Sequence, residues 1–306
     1  MREITVGAND NEQRLDRFLS KYLPGAEKSY LQKMVRKKRI KLNGRKAYSD
    51  TVIKTGDTIN FYIYEEELEK FEKSKKIKKS NVNLKIVYQD KNIAIIDKPA
   101  GILSHAAKKS DYGNNIADAF ESLLIEEGEY IPRLEKSFKP ALANRLDFNT
   151  AGLMIGLKNH AAAMAVNEAL KHRKIEKYYL AFCQGRLEDS LSINKNLNKQ
   201  GKNMRVSKDG KYALTLVKPI KLYEDSSLVE VKLMTGRYHQ IRAHMASVGH
   251  PLIGDKRYGK NDGNFNHQLL LAYKLKFKMI EGFEYLNNLQ VESEQKDRFV
   301  KAYESL

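Results

Sequence analysis

The stretch ANRLDFNTAGLMIGLKN, residues 143–159, decides the fold of the larger part of this chain. It runs from a polar loop that holds Arg145, Asp147 and Asn149 into the apolar run LMIGL, which is typical of a buried strand. A carboxylate just ahead of such a strand is fixed by the sheet and still reachable by a ligand. An Asp-x-Asn sequence by itself more often forms a turn by bonding its own backbone, so this stretch alone leaves both interpretations open.

Patterns on either side of this stretch predict an α+β domain with a mixed, largely antiparallel sheet. Apolar runs predict strands, and the spacing of one segment predicts a helix at residues 161–170; the strands are expected at residues 85–88, 92–97, 177–182, 211–217 and 228–233. The polar segment 110–139 lacks a clear period, so we expect a partly mobile excursion there. The chain after Glu281 predicts a short charged helix or a frayed tail.

The first part of the chain predicts a separate, small α/β domain. Apolar residues at helical spacing indicate two short helices, and Asn43-Gly44 indicates a hairpin turn ahead of an alternating strand at residues 59–63. Residues 65–81 carry five acidic and six basic side chains and few that could pack in a core, which marks an exposed helix end or a linker. The predicted division is residues 1–64, a charged linker over 65–81, and a larger domain over 82–306.

Positive charge is concentrated in that small domain. Between Lys28 and Lys46 there are nine basic residues and no acidic one. The candidate nucleic-acid-binding side chains are Arg36, Lys37, Lys38, Arg39 and Lys41. A solvated helix surface is the alternative interpretation of the same run.

The overall composition narrows the class of partner and the compartment. A formal net charge of +17 favours a polyanion, and RNA, DNA, an anionic membrane or simply a lysine-rich proteome remain open on charge alone. The single cysteine, Cys183, excludes an internal disulfide framework and a thiolate zinc cluster. Because neither a signal sequence nor a long apolar run is evident, we expect a cytoplasmic protein that does not enter membranes.

A second polar segment, MTGRYHQIRAHMASVGHPLIGDKRYG at residues 234–259, places several charged and histidine side chains around an apolar helix stripe. Its histidines raise the question of a metal site. His239 and His244 are five positions apart, which puts them on different helix faces, and no carboxylate or cysteine completes a ligand set. The sequence therefore predicts no metal.

Four segments in this order resemble the RluA-type pseudouridine synthases: residues 86–105, ending in KPAGILSH; 144–152, NRLDFNTAG; 177–185, KYYLAFCQG; and 235–259. Residues 12–64 resemble the small ribosomal-protein-S-four-like RNA-binding domain. Two residues depart from the larger family's pattern, since Asn144 stands where histidine is usual and Ala151 where serine is usual. Neither position replaces a catalytic group.

The resemblance implies a catalytic trio, with Asp147 as the reacting carboxylate, Tyr179 as the ring against the target uracil and Arg242 as the cation paired with Asp147. A carboxylate can engage the sugar carbon or stabilise a cation-like sugar, and a bidentate guanidinium keeps it ionised and directed. Only the Lys-x-Tyr spacing selects Tyr179 over Tyr178, and core packing is the commoner role of a strand tyrosine. The resemblance also implies that Arg145 holds the stack from which the nucleotide has been turned out.

The predicted function is isomerisation of uridine to pseudouridine in structured RNA, with large-subunit ribosomal RNA as the substrate and a monomer as the acting form. The reaction is redox-neutral and hydrolyses nothing, so no cofactor is expected. The alternative is a non-catalytic RNA-binding factor of ribosome assembly. A glycoside hydrolase would also use a carboxylate at a sugar carbon, but it needs a second carboxylate, and none is evident beside Asp147. Lys98, Gly101 and His105 either shape the rim of the cleft or support the sheet edge.

Overall fold

Two sheets of unequal size, with a short two-stranded ribbon, organise the computed structural model of this chain. The structure describes residues 1–72, 80–130, 138–201, 203–259 and 265–305. The elements of the N-terminal module are β1 (Arg2–Thr5), α1 (Leu15–Tyr22), α2 (Lys28–Arg36), β2 (Ile40–Leu42), β3 (Arg45–Lys46), β4 (Thr58–Phe61) and α3 (Glu65–Glu72). Its four strands form an antiparallel sheet in the order β1-β4-β2-β3.

Apolar residues at helical spacing bury one face of α1 and of α2, as the sequence predicts. Leu15, Leu19 and Leu31 are fully or almost fully buried in the core of the module. Asn43 and Gly44 both have positive φ, 51° and 71°, and form the tight turn between β2 and β3. Strand β1, which pairs with β4, escapes sequence-based prediction because four alternating residues at a chain start give a weak pattern.

The charged segment after β4 differs from its prediction. Residues 65–72 form α3, and Leu68 is fully buried in the core of the N-terminal module, with Phe71 packed against it. One turn of helix separates these two apolar residues, so they share a face that the surrounding charges conceal in the sequence. Residues 73–79 of the predicted linker lie outside the described residues.

The larger second sheet is built from ten strands. They are β5 (Ile86–Gln89), β6 (Ile93–Lys98), β7 (Ala141–Leu142), β8 (Ala151–Leu157), β9 (Ile175–Gln184), β10 (Leu191–Asn194), β13 (Leu214–Leu222), β14 (Ser226–Leu233), β15 (Leu270–Phe277) and β16 (Gln290–Glu292), while β11 (Leu197–Gln200) and β12 (Asn203–Val206) pair in the separate ribbon. Eight strands follow the order β10-β13-β14-β9-β15-β8-β6-β5, with β16 added beside β15 and β7 beside β8. Four helices accompany these strands: α4 (Ile116–Glu126), α5 (His160–Lys171), α6 (Gln240–Ser247) and α7 (Lys296–Glu304).

One parallel contact at the centre of this mostly antiparallel sheet brings β8 beside β15. Ala151 and Gly152 pair with Leu271 and Ala272. Gly152 has φ of 113°, and a Cβ there would lie 2.2 Å from the Ala272 carbonyl oxygen, so only glycine fits. The mixed α+β sheet predicted from the sequence is confirmed, and this contact fixes the strand that follows the Asp147 loop.

Helix α4 lies in the segment for which the sequence predicts a partly mobile excursion, and that prediction is wrong for residues 116–126. Ile116, Phe120 and Leu124 recur every fourth residue and are fully buried in the main core. The Phe120 ring packs where a side chain at Gly156 of β8 would otherwise stand. Residues 131–137 of the same segment lie outside the described residues.

The C-terminal helix α7 is attached to the sheet through a buried carboxylate. Asp97 on β6 accepts hydrogen bonds from the Ser293 hydroxyl, the Glu294 backbone N–H and the Gln295 side chain, just ahead of α7. The short charged helix predicted for the end of the chain is therefore present. Within the described ranges, no helix combines the length and the apolar character that crossing a bilayer requires.

Candidate active site

The Asp147 loop is fixed on both sides by hydrogen bonds to its backbone. The Ser104 hydroxyl donates to the Leu146 carbonyl at 2.8 Å and accepts from the Leu146 N–H at 3.1 Å. The Thr150 N–H donates to the Asp147 carbonyl at 3.0 Å and closes a tight turn directly before β8. Asn144, where the resembling family has histidine, accepts from the Ile155 N–H at 2.8 Å and so ties the loop entry to β8. The Asp147 carboxylate is thus carried by a loop that is tied to one strand.

Arg242 on α6 joins two carboxylates from different parts of the chain. Its Nη1 donates to Asp147 Oδ2 at 3.0 Å, while Nε and Nη2 donate to the two oxygens of Asp255 at 2.7 and 2.8 Å. The sequence-based expectation of a bidentate contact to Asp147 is therefore wrong in detail, because the fork of the guanidinium is occupied by Asp255. Asp147 receives a single N–H donor from the third nitrogen.

Asp255 is the site residue that sequence reasoning misses, although its segment, GDKRYG, belongs to the last of the four family-like motifs. Its side chain has no exposed surface, whereas 22% of the Asp147 side chain is exposed. Burial acts to raise the pKa of Asp255, but the hydrogen bonds and charge of Arg242 and the N–H groups of Arg257 and Tyr258 hold it below its usual range. Asp255 pairs with Arg242 and has no exposed surface, so it does not act as the second carboxylate that a glycoside hydrolase needs.

The two adjacent tyrosines of β9 belong to different surroundings. Tyr179 is buried in the main core with Leu146, and burial together with the Asp147 charge raises its pKa well above the usual range. Its hydroxyl forms no hydrogen bond with any described residue, and the hydroxyl oxygen is not completely buried. Tyr178 donates to Glu176 at 2.7 Å and lies under the Lys274 ammonium. Tyr179 is therefore the member of the pair on which the charge of Asp147 acts.

A histidine and a tyrosine complete the surroundings of the Asp147 carboxylate. His239 Nε2 lies 3.5 Å from Asp147 Oδ2, and its Nδ1 lies 3.0 Å from the Tyr258 hydroxyl. The Tyr258 ring lies 5.2 Å from the centre of the Arg242 guanidinium. Burial lowers the pKa of His239 to about 4, although the Asp147 charge acts in the opposite direction. The imidazole is consequently neutral at physiological pH.

Lys98 is fully buried and supports the backbone of the Asp147 loop. Its ammonium donates to the carbonyls of Pro99 and Phe148 at 2.9 and 3.0 Å, and the Gly101 N–H donates to the same Phe148 carbonyl. Burial lowers the pKa of Lys98 to about 8, although Asp147 acts to raise it. The sequence leaves the rim of the cleft and the sheet edge open as roles for Lys98 and Gly101, and these contacts describe a third role, support of the loop backbone.

A cavity of about 510 Å³ opens beside Arg242. Its lining is polar and basic, and Arg242 and Asn149 connect it to the Asp147 loop; the other lining side chains include Lys256, Arg257, Asn266 and His267. Pockets that bind small molecules and cofactors are commonly about 300 to 1,000 Å³. The cavity therefore has the size for one nucleotide, and of the trio only Arg242 is among its lining residues.

Two residues of the Asp147 loop are exposed to solvent. Arg145 has no hydrogen-bond or ion-pair partner among the described residues. The pKa of His105 is lowered mainly by burial and next by the positive charge of Arg145. Phe148 is 49% exposed although it follows Asp147 directly. Sequence reasoning passes over Phe148, since a single aromatic in a loop carries no pattern.

The basic run forms one exposed surface of the N-terminal module. Arg36 ends α2, and Lys37, Lys38 and Arg39 follow it in the turn to β2, all exposed and without a carboxylate partner among the described residues. Lys41, on β2 itself, is partly buried, and its ammonium lies 4.8 Å from the centre of the Tyr62 ring. The candidate RNA-binding side chains are thus close together in the fold.

Comparisons with known proteins place the chain in a family. A family model described as RNA pseudouridylate synthase matches residues 92–247. A protein of Mycoplasma capricolum that is named as an uncharacterized RNA pseudouridine synthase is 33% identical over 94% of this chain and 96% of its own length. A ribosomal large subunit pseudouridine synthase C of Buchnera aphidicola is 30% identical over 86% of this chain and 82% of its own length. Among solved structures, human RNA pseudouridylate synthase domain containing 4 superposes with a TM-score of 0.56 at 21% identity, over 72% of this chain and 91% of that one, which shows the shared fold.

Proposed function

This chain belongs to the RNA pseudouridylate synthase family of isomerases, and on that premise we propose that it converts uridine in large-subunit ribosomal RNA to pseudouridine, with Asp147 as the reacting carboxylate. The observation that carries the proposal is the single guanidinium N–H that Arg242, gripped by Asp255, directs at Asp147. Asp255 fixes the position of the guanidinium before the substrate binds. A charged group that is already in place needs no reorganisation during the reaction, and such preorganisation lowers the barrier.

The proposed chemistry is an intramolecular exchange of one bond for another. The bond from uracil N1 to ribose C1′ breaks, the base turns, a bond forms from C5 to C1′, and the proton on C5 moves to solvent while N1 regains one. Asp147 either bonds to the nucleotide during the exchange or stabilises a cation-like sugar, and a carboxylate can do both. Arg242 keeps it directed in either case.

Tyr179 is proposed as the surface on which the extracted uracil rests. Stacking on an aromatic ring stabilises a base by about 1 to 3 kcal/mol without selecting its identity. The hydroxyl of Tyr179 lacks a protein partner among the described residues and can take part in moving the C5 proton. Burial raises the pKa of this hydroxyl, so it stays protonated and can relay the C5 proton only by passing its own proton on to solvent.

Nucleotide extraction is assigned to the two exposed residues of the Asp147 loop. The guanidinium of Arg145 can contact the phosphates and the bases that remain stacked after the uridine has turned out. Phe148, three residues further along the loop, provides an exposed aromatic ring. Lys98 and Gly101 hold the backbone of Phe148, so the ring is presented by a rigid loop. Base opening then needs no rearrangement of Asp147 itself.

The N-terminal module is proposed to select and hold the RNA. Its cations, Arg36 to Arg39 and Lys41, supply the phosphate contacts, and Tyr62 supplies an aromatic surface beside Lys41. The assignment to large-subunit ribosomal RNA rests on the name of the Buchnera relative, whose match covers 86% of this chain.

The test is to map pseudouridines in the ribosomal RNA of cells that lack the gene and carry either the wild-type chain, Asp147→Asn, or Asp297→Asn as a control on α7, outside the site. We expect wild type and the control to restore at least one site in large-subunit RNA and Asp147→Asn to restore none. The Asp147→Asn protein should still bind the RNA with unchanged affinity. An Asp147→Asn protein that restores every site would contradict the catalytic assignment and favour a non-catalytic assembly factor.

A further inference from the structure

His239 occupies a constrained position between the Asp147 loop and Tyr258. It directly precedes α6 in a left-handed conformation, with φ of 48°, which only a small fraction of residues other than glycine adopt. Its side chain is almost wholly buried, with Tyr238 stacked on one face at 3.7 Å and Tyr258 edge-on at 5.7 Å. A rare backbone conformation that persists at a site is held there by its surroundings and directs attention to the side chain.

The contacts on both sides of the imidazole indicate which nitrogen of His239 carries the proton: Nε2 faces Asp147, whose carboxylate can only accept, and Nδ1 faces the Tyr258 hydroxyl, which can donate. The Met204 backbone N–H, which can only donate, donates to the Tyr258 oxygen at 2.8 Å. The Tyr258 hydroxyl proton is then free to be donated to its other neighbour, His239 Nδ1, at 3.0 Å. A neutral imidazole that accepts at Nδ1 carries its proton at Nε2. That nitrogen is the one closest to Asp147.

The two oxygens of Asp147 are consequently unequal. Oδ2 accepts from Arg242 Nη1 at 3.0 Å and faces His239 Nε2 at 3.5 Å, whereas Oδ1 has no partner among the described residues. A separation of 3.5 Å is longer than a hydrogen bond, and such contacts commonly shorten when substrate fills a site. Because Arg242 donates to Oδ2 and His239 Nε2 faces the same oxygen, Oδ1 is the oxygen left to meet the nucleotide.

We propose that His239 is a positioning residue: held as the Nε2–H tautomer by the Met204–Tyr258 chain, it joins Arg242 on Oδ2 of Asp147 and so presents Oδ1 to the ribose of the extracted uridine. The inference deepens the proposed function and rests on Asp147 being the reacting carboxylate. A neutral donor suits this place, because a second cation beside Arg242 and Arg257 would be repelled by them.

The charged groups around the imidazole agree with a neutral ring. The charges of Asp147 and Asp255 act to raise the pKa of His239, and those of Arg242 and Arg257 act to lower it. Because these influences oppose one another, burial determines the direction of the shift. Burial lowers the pKa of His239 to about 4. The ring therefore keeps one proton, at Nε2, through the physiological range.

The kinetic test compares His239→Gln, whose amide retains an N–H donor at about the place of Nε2, with His239→Phe, which retains the ring shape but no donor. Both are non-glycine residues in the same left-handed position, so their backbone strain is matched. We expect the phenylalanine variant to lose about 10- to 100-fold in kcat, the loss typical of one hydrogen bond to a charged group, with RNA affinity unchanged. The glutamine variant should keep kcat within a few-fold of wild type. Equal kcat for the phenylalanine variant and wild type, or equal losses in two folded variants, would overturn the proposal.

The tautomer is tested separately by ¹⁵N NMR of the wild-type chain labelled at histidine. The resonances of His239 are those, among seven histidines, that vanish in His239→Gln. We expect a neutral ring at pH 7 with a protonated Nε2 and an accepting Nδ1, and a mixture of tautomers in Tyr258→Phe. A protonated Nδ1 in wild type would refute the inference. This readout does not depend on turnover, so it stands apart from any failure to detect pseudouridine.

Discussion

Replacing Asp255 by asparagine should separate the stability of this site from its chemistry. The change removes the charge that faces the fork of Arg242 and leaves a buried guanidinium with Asp147 as its remaining carboxylate partner. Breaking a buried ion pair on one side typically lowers the free energy of unfolding by about 3 to 5 kcal/mol. In a domain of this size that corresponds to a fall in Tm of about 6 to 20 °C.

The matched change is Asp147→Asn, which alters the same chemical group on the other side of the same guanidinium. Asp147 is 22% exposed and receives a single Arg242 N–H, so its replacement should lower the free energy of unfolding by about 1 kcal/mol or less. Thermal and urea unfolding followed by circular dichroism measure both effects. We expect Asp147→Asn to be inactive and stable, and Asp255→Asn to be unstable and impaired. Equal unfolding free energies for the two variants would refute the view that Asp255 carries the buried guanidinium.

Three further changes follow from the described contacts. Tyr179→Phe should lower kcat at least about tenfold with little change in stability, whereas Tyr178→Phe should leave kcat near wild type, as measured by single-turnover pseudouridine formation. Lys98→Met should be destabilised because the Pro99 carbonyl loses its Lys98 donor and the Phe148 carbonyl keeps only the Gly101 N–H, and the deficit in unfolding free energy relative to wild type should widen by about 2 kcal/mol as pH rises from about 8 to about 10. The double variant Arg36→Glu with Lys37→Glu should bind RNA more weakly and with a shallower salt dependence, by about 0.7 to 0.9 in log–log slope for each phosphate that is no longer neutralised.

Each of the three changes has a result that would count against its reasoning. The sign for Lys98 follows from its folded pKa of about 8 against an ordinary value of 10.5: the favourable contribution is complete above the unfolded pKa and disappears as pH falls through the folded one. A deficit that narrows as pH rises over that range would contradict it. Equal reductions in kcat at Tyr178 and Tyr179 would remove the distinction between the two rings. For RNA binding, the control is the same charge reversal at Arg298 and Lys301 of α7, which should leave the salt slope unchanged.

The trio of Asp147, Tyr179 and Arg242 can be picked out from sequence because each member lies in a short motif whose order along the chain is itself informative. Asp147 and Arg242 do meet, 95 positions apart, at 3.0 Å. The partner of the guanidinium fork cannot be assigned in the same way. Asp255 and Asp147 both lie in polar turns next to apolar runs, and only the three-dimensional path of α6 decides that the fork faces Asp255.

Secondary structure is predictable where apolar periodicity is undisturbed and is missed where neighbours conceal it. The helices α1, α2 and α5 agree with their sequence patterns to within a few residues. Helix α4, IADAFESLLIE, has the apolar pattern of a buried helix, and it escapes prediction because the polar residues on both sides of it make the whole segment resemble a loop. Strand β15, LLAYKLKF, escapes it too, although Tyr273 to Phe277 alternate, because the apolar start of the strand and the bulge between Leu271 and Lys274 interrupt the pattern.

The sharing of one guanidinium by two carboxylates has a consequence for what can enter the cleft. With a neutral imidazole beside it, the group of Asp147, Asp255 and Arg242 carries an excess of negative charge, while Lys256 and Arg257 line the adjoining cavity. A phosphodiester is therefore repelled from the carboxylates and attracted to the neighbouring cations. If Asp147 reacts as proposed, this distribution of charge directs the phosphates of a nucleotide towards Lys256 and Arg257 and leaves the uncharged sugar and base to approach Asp147.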